Sequence, residues 1–427
     1  MDALEALRSE IDGIDTQMNA LLERRLRAAE QIAALKRERG LPVYAPDRER
    51  EVLRRAASGD PALREYRLAH ARQTVALCRA WQQSLLPQSE TVLPIRLGER
   101  SYDVILEPGC LQRAGEYLDL NRKVLIVTDD GVPAQYAACI AKQCREPVTV
   151  TVPQGEGSKS LDRFERLQRT LLERGFTRAD CVAAVGGGMV GDLAGFAAAC
   201  YLRGIDFYQL PTTTLAMTDA AVGGKSGLNL GGVKNTVGAF YQPRRVLLDP
   251  ETLSTLTPRQ YAAGLAEAVK MGMTSDEGLF ALFERDEPPI EEVLRRALSV
   301  KKAVVEQDER ESGLRRVLNF GHTLGHAIEA QRPELYHGEC VALGMLPMCG
   351  EPARARLLGV LRRLGLPTRV ELDAERAYRV LLHDKKRIKD GICAVFVDEI
   401  GTFSIKTVPP EELRRRLSCY SAGRDAE

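Results

Sequence analysis

The stretch CVAAVGGGMVGD, residues 181–192, constrains the fold of this 427-residue chain more than any other. An apolar run of strand length passes straight into three glycines and then into a helix with an early aspartate. That is the strand-to-helix turn of a parallel sheet, where backbone amides can approach an anion at a helix N-terminus. The pattern itself indicates a nucleotide or a phosphate. Residues 181–202 approach a membrane span in length, but their glycines and Asp192 favour a buried strand and turn. KVLIVTDDG (123–131) reads as a second buried strand ending at Asp129, an acid suited equally to a ribose or to a turn. PQGEGSKS (153–160) lacks the spacing of a Walker loop. Residues 203–243 set Arg203, Asp219, Lys225, Lys234 and Asn235 among glycines, a pattern that cradles oxyanions.

The length implies two or three domains. A net charge of +1 gives no bulk signal for nucleic acid or anionic membrane. The ten cysteines form no C-x-x-C pair and suggest no disulfide framework, so a reducing cytoplasm is expected. Asp2, Glu5 and Arg8 do not resemble a signal peptide.

Three of the five histidines fall in NFGHTLGHAIE (319–329) and HGE (337–339): His322, His326 and His337. His322 and His326 share one helical face. With Glu267 of GLAEAVK, and Lys270 one turn on, they could form a two-histidine, one-carboxylate set for catalytic zinc. The same spacing also fits a histidine pair satisfied by backbone in a packed helix. From Glu251 onward helical periodicity dominates, and Lys301, Glu311, Arg315 and Asn319 lead into the histidines. The late run Asp384-Lys385-Lys386 reads in itself as a solvated charge patch.

The N-terminal segment has a different period. Leu4, Leu7, Ile11, Ile14, Met18 and Leu21 form a heptad seam that resumes at Ala28, Ile32 and Leu35. Arg25 interrupts it, either snorkelling or meeting a carboxylate of another helix. Arg8 and Lys36 share a heptad column but stand roughly 40 Å apart along a helix. They can serve one small site only if long helices from two subunits pack antiparallel, so a homodimer is expected. Residues 85–94 read as a linker. The expected domains are a helical module (1–87), an α/β nucleotide-binding domain (88–250) and an α-helical metal- and substrate-binding domain (251–427).

Taken in order, GExxK (155–159), GGGMVGD, PTT…D…GGK…N…KN, AExxK, NFGHTLGHAIE and HGE resemble the 3-dehydroquinate synthase family across residues 92 to about 405. The resemblance implies conversion of 3-deoxy-D-arabino-heptulosonate 7-phosphate to 3-dehydroquinate and phosphate. The route is NAD-dependent oxidation, phosphate elimination, reduction and aldol closure. It implies that Glu267, His322 and His337 bind zinc, or cobalt. Asp129, Glu156, Lys159, Gly187, Gly188, Met189, Val190, Asp192, Thr212, Thr213, Lys225 and Lys234 would face NAD. Lys225, Asn235, His326 and Lys385 would hold the phosphate, with Arg203 reaching in from a second subunit. Lys301, Arg315 and Asn319 would hold the carboxylate, Asp219 and Lys270 the hydroxyls, and His326 would also move protons. Ala220-Ala221 replace the family's usual serines, and the stretch between Gly344 and Pro367 is short.

The helical module resembles the all-helical chorismate mutase family through LR (7–8), ERR (23–25), LK (35–36), P-x-R-E (46–49) and Gln82. By that resemblance Arg8 of a partner chain, Arg25 and Arg48 would hold the carboxylates of chorismate. Lys36, Glu49 and Gln82 would contact the rearranging enolpyruvyl group. Ala45 and Cys78 depart from the family pattern, so two expectations stand: a bifunctional enzyme, or a synthase whose module binds chorismate or prephenate for regulation or dimerisation. A cyclase that makes an aminated dehydroquinate is a further alternative.

Overall fold

The computed structural model describes residues 3–38, 46–85, 91–231, 233–382, 387–388 and 391–420. The chain forms two compact units, Met1–Val92 and Leu93–Glu427. Ala45 and Lys385, and the side chain of Glu49, lie outside the described residues.

In the first unit α1 (Ala3–Glu38) is one unbroken helix of 36 residues, about 54 Å long at 1.5 Å per residue. After α2 (Pro46–Ala56), Asp60 accepts the Ala62 amide at 2.9 Å and starts the turn into α3 (Arg64–Leu85). The heptad seam is not buried within the chain. Leu4, Leu7, Ile11, Ile14, Met18, Leu21, Ile32 and Leu35 are 46–59% exposed. The face of α1 turned inward is displaced by one position: Leu22 and Leu26 are half-buried, and Ala29 and Ala33 are buried. Small side chains there let α1 approach α3. Periodicity finds an apolar face, but it does not say whether the cover comes from the same chain.

The second unit is built on strands β1 (Val92–Ile95), β2 (Tyr102–Leu106), β3 (Lys123–Asp129), β4 (Glu146–Val152), β5 (Cys181–Gly186), β6 (Asp206–Pro211), β7 (Lys225–Leu230), β8 (Val233–Phe240) and β9 (Arg245–Leu248). Seven of them form one sheet in the order β1-β2-β9-β6-β5-β3-β4, and β7 and β8 form a separate antiparallel hairpin. From β2 to β4 every neighbouring pair runs parallel. Helices α4 (Ala114–Tyr117), α5 (Ala134–Ala141), α6 (Leu161–Glu173) and α7 (Gly188–Cys200) make the connections. β4 lies on one side of β3, and the chain then returns through α6 to place β5 on the other side. A crevice opens at such a switch point beyond the carboxyl ends of the strands. Asp129 ends β3 and Gly187 follows β5, so both sit at its rim.

The rest of this unit is helical: α8 (Pro258–Ser275), α9 (Glu277–Phe283), α10 (Ile290–Gln307), α11 (His322–Glu329), α12 (His337–Met345), α13 (Glu351–Arg363), α14 (Ala374–Leu382) and α15 (Pro410–Leu417). A small sheet of β10 (Arg387–Ile388), β11 (Gly391–Phe396) and β12 (Ser404–Val408) completes it. Glycines set the close packing of α8, α11 and α12. A Cβ on Gly338 would lie 1.8 Å from the Ala263 carbonyl oxygen, and one on Gly344 would lie 2.0 Å from that of Gly321. Among the described residues no helix is long and apolar enough to cross a membrane.

Candidate functional site

Three helices converge on one carboxylate. Glu267 on α8 is 1% exposed, and its Oε1 lies 3.4 Å from His322 Nε2 on α11 and 3.6 Å from His337 Nε2 on α12. Ligands bonded tetrahedrally at about 2.0–2.1 Å stand about 3.3 Å from one another, so this donor set fits a divalent cation such as zinc. The other oxygen, Glu267 Oε2, is held by Lys270 Nζ at 2.5 Å, which leaves Oε1 for the centre. His322 Nδ1 faces the Phe320 carbonyl oxygen at 3.3 Å, which fixes the ring with Nε2 toward the site. Burial alone would raise the Glu267 pKa, but Lys270 and His322 outweigh it and hold the group well below the usual carboxylate range. Burial alone would lower His337, but Glu267 and Glu329 lift it to about 9. The His326 ring stands 5.6 Å from that of His322 and 6.0 Å from that of His337, beside the triad.

Next to it lies a second buried ion pair, Lys301 Nζ to Asp219 Oδ1 at 2.6 Å. Burial lowers the Lys301 pKa to about 8 even with Asp219 beside it, and the nearby Arg315 and Lys270 add to the effect. Arg315, 2% exposed, donates to the Gly223 carbonyl at 3.1 Å and to that of Glu309, while its Nε is buried without a partner. Gly223 is at φ +104, and a Cβ there would lie 2.3 Å from the guanidinium, so both the turn and Arg315 require glycine. Asn319 donates to Glu311 Oε1 at 2.7 Å, and the other oxygen of Glu311 pairs with Lys225.

At the carboxyl end of β5 Gly187 opens α7 with backbone amides free of a side-chain cap. Lys159, only 4% exposed, reaches Asp192 at 2.6 Å and Glu156 at 3.5 Å. Burial raises Asp192 to about 6, against the pull of Lys159. Asp129 Oδ1 accepts the Gly131 and Val132 amides at 2.9 and 3.1 Å, so it closes its own turn. Thr213 Oγ1 accepts the Ala216 amide at 3.2 Å, and Thr212 donates its amide to Gly186. Met189 is half-buried, and Val190 is fully buried beneath Gly186 and offers a ligand only backbone.

The β7–β8 hairpin joins the two halves of the site. Asn235 accepts from Lys159 on the sheet side, while its neighbour Lys234 reaches Glu329 Oε1 at 2.9 Å on the metal side. Among the described residues, Leu202, Arg203, Asn235 and Glu311 are the non-glycine residues with positive φ. Two of the four, Asn235 and Glu311, contact the site residues, where backbone held against its preference is common. Arg203 is not brought to the others. It follows α7, about 20 Å along that helix from Gly187 at 1.5 Å per residue, and it is exposed.

Sequence reasoning assigned no role to Glu329, Glu339 or Arg259. Glu339 accepts the Tyr336 amide at 2.8 Å and takes two 2.7 Å hydrogen bonds from Arg259, which clamps the start of α12 to α8. Glu329 lies three and seven residues beyond His326 and His322, on their face of the helix. That spacing was the available signal.

In the helical unit Arg25 is exposed and not buried in a seam, and its Nε donates to Cys78 Sγ at 3.4 Å. Lys36 is half-buried, Arg8 is exposed, and Arg48 pairs with Glu51 at 2.6 Å. Gln82 Oε1 is buried without a partner. Arg8 and Lys36 lie on one unbroken helix, about 42 Å apart at 1.5 Å per residue.

Family models described as 3-dehydroquinate synthase N-terminal, 3-dehydroquinate synthase C-terminal and chorismate mutase type II match residues 149–263, 264–387 and 7–79. The 3-dehydroquinate synthase of Geobacter metallireducens is 45% identical over 340 residues, covering 73% of this chain and 94% of that protein. That of Pelobacter propionicus is 42% identical over 351 residues, covering 76% and 98%. Among solved structures, 2-deoxy-scyllo-inosose synthase complexed with carbaglucose-6-phosphate, NAD+ and Co2+ is similar with a TM-score of 0.71 at 26% identity, covering 76% of this chain and 98% of that one. The 2-epi-5-epi-valiolone synthase of Streptomyces hygroscopicus with NAD+ and Zn2+ is similar with a TM-score of 0.70 at 29% identity, covering 76% and 98%.

Proposed function

This chain belongs to the 3-dehydroquinate synthase family and carries a type II chorismate mutase domain at its N-terminal end, and on that premise we propose that it catalyses two reactions of aromatic amino acid biosynthesis. The second unit converts 3-deoxy-D-arabino-heptulosonate 7-phosphate to 3-dehydroquinate and phosphate. The first unit rearranges chorismate to prephenate. The observation that carries the first assignment is the Glu267–His322–His337 triad, centred on a buried carboxylate and joined by one hairpin to the sheet's switch point.

When bound, NAD supplies a hydride acceptor and the divalent cation polarises the hydroxyl to be oxidised. Glu267, His322 and His337 would hold the cation. Gly187, Gly188, Asp129, Lys159, Asp192, Thr212 and Thr213 would line the cofactor crevice. Lys270 keeps Glu267 ionised and points one oxygen at the centre. Lys225, Asn235 and His326 would hold the leaving phosphate, and His326, whose ring stands 5.6 Å from that of His322, would also move protons. Lys301 and Asn319, with the free Nε of Arg315, would hold the substrate carboxylate. That set favours a carboxylate-bearing substrate over the uncharged ring of an inosose. Arg203 enters only from a second chain, which makes the synthase unit dimeric in this reading.

The mutase requires no nucleophile, since its reaction is a rearrangement that positioning and charge stabilisation accelerate. Arg25, Arg48, Lys36, Glu49 and Gln82 would come from one chain and Arg8 from a partner lying along the exposed seam. A second reading keeps the module as a chorismate- or prephenate-binding regulator, favoured by the Arg25–Cys78 contact at 3.4 Å. The test is to assay purified protein for phosphate release from the heptulosonate phosphate and for loss of chorismate absorbance, wild type beside Arg25→Ala. Both activities in wild type, with only the second lost in the variant, is the expected result. Chorismate binding without turnover selects the regulator.

A further inference from the structure

We propose that Glu329 is a positioning residue that fixes the metal ligand His337 and ties it to Lys234 on the hairpin. The proposal rests on the reading that Glu267, His322 and His337 hold a divalent cation. His337 stands between two carboxylates: Nε2 is 3.6 Å from Glu267 Oε1, and Nδ1 is 3.3 Å from Glu329 Oε1. A cation can take only one ring nitrogen of a neutral imidazole, and the other must carry the proton. Glu267 and His322 converge on the Nε2 side, so Nδ1–H donates to Glu329. An outer carboxylate of this kind orients the ring and strengthens it as a ligand.

The location of Glu329 makes these contacts necessary. It is the last residue of α11, where a carboxylate faces the negative end of the helix dipole. Its side chain is nevertheless only 14% exposed, so its charge must be met inside the protein. The same Oε1 meets Lys234 Nζ at 2.9 Å as well as His337 Nδ1. Lys234 adjoins Asn235, which accepts from Lys159 at the sheet edge. One carboxylate oxygen thereby sets the third metal ligand and anchors the hairpin that borders the cofactor crevice. His326, Glu329 and His337 also bring ligand atoms within 4.8 Å of one another, so a second cation is the competing role for Glu329.

The test is Co2+ affinity of the full chain by chelator competition, with cobalt stoichiometry and the visible ligand-field spectrum, for Glu329→Ala, Glu329→Gln and Glu267→Gln. The expected loss is about 10–100-fold for Glu329→Ala. A smaller loss and a shifted spectrum are expected for Glu329→Gln, whose amide oxygen can still accept from Nδ1. Glu267→Gln should abolish binding. Unchanged affinity in both Glu329 variants with loss in Glu267→Gln overturns the positioning role alone. Unchanged affinity in all three overturns the metal reading beneath it. Two cobalt ions per wild-type chain, one of them lost in Glu329→Gln, would make Glu329 a ligand and also overturn the proposal. If Glu329→Ala does not fold, the isosteric Glu329→Gln decides.

Discussion

The helical unit leaves its apolar seam in solvent, while the synthase unit buries even its charges. Leu7 and Leu21 are 58% and 59% exposed, whereas Glu267 and Lys270 are each 1% exposed. The second unit therefore brings its candidate site together within one chain, while Arg203 stays remote from it. The first leaves Arg8 and Lys36 about 42 Å apart along one helix. Apolar side chains left in water along about 54 Å of helix are a cost that a second copy would remove in the dimeric reading proposed above.

The largest effect expected from breaking this contrast is in the synthase half. Glu267→Gln strips the centre of its anionic ligand and leaves buried Lys270 without its direct ion-pair partner. Synthase turnover should fall at least about a thousandfold, as losing several kcal/mol of metal-derived stabilisation implies, while chorismate turnover in the same preparation stays at wild-type level. Arg25→Ala should do the converse. Loss of a charged contact to a buried carboxylate costs about 2–5 kcal/mol, so chorismate turnover should drop about a hundredfold with phosphate release unchanged.

A smaller effect separates packing from chemistry. Gly338→Ala drives a methyl group into the Ala263 carbonyl and should prise α12 from α8. Overpacking of this kind costs about 1–3 kcal/mol, read as a lower melting temperature and weaker metal binding. The mildest test is pH. Lys301 loses its proton at about 8 in the folded protein because burial disfavours the charge. If it holds the substrate carboxylate, kcat/KM of the synthase should decline above pH 8, because that parameter reports the free enzyme. Lys301→Arg should move the decline upward, and an unmoved limb would assign it to another group.

The two units also differ in how legible they are. GGGMVGD announces the turn after β5, and the i, i+4 spacing of His322 and His326 announces a shared helical face. The meeting of Glu267 with His322 and His337 depends on Gly338 and Gly344, whose role is a backbone distance that no local pattern encodes. Glu329 and Glu339 are hidden for a similar reason, because their partners Lys234 and Arg259 are remote in sequence. In the helical unit the seam is legible as apolar, but its pattern does not say that the chain leaves it uncovered. The inward face of α1 carries Ala29 and Ala33, too small to stand out in a hydrophobic pattern.

The most direct measurement mixes two inactive chains. If each mutase site takes Arg25 from one chain and Arg8 from the other, while synthase sites need neither, the two activities must respond differently. Arg8→Ala and Arg25→Ala proteins, each lacking chorismate turnover, should regain part of it when dissociated and reassembled together, because a mixed dimer rebuilds one intact site. Synthase activity should be constant throughout. Chorismate turnover that stays absent in verified mixed dimers, or an Arg8→Ala protein as active as wild type, would contradict a site shared between chains.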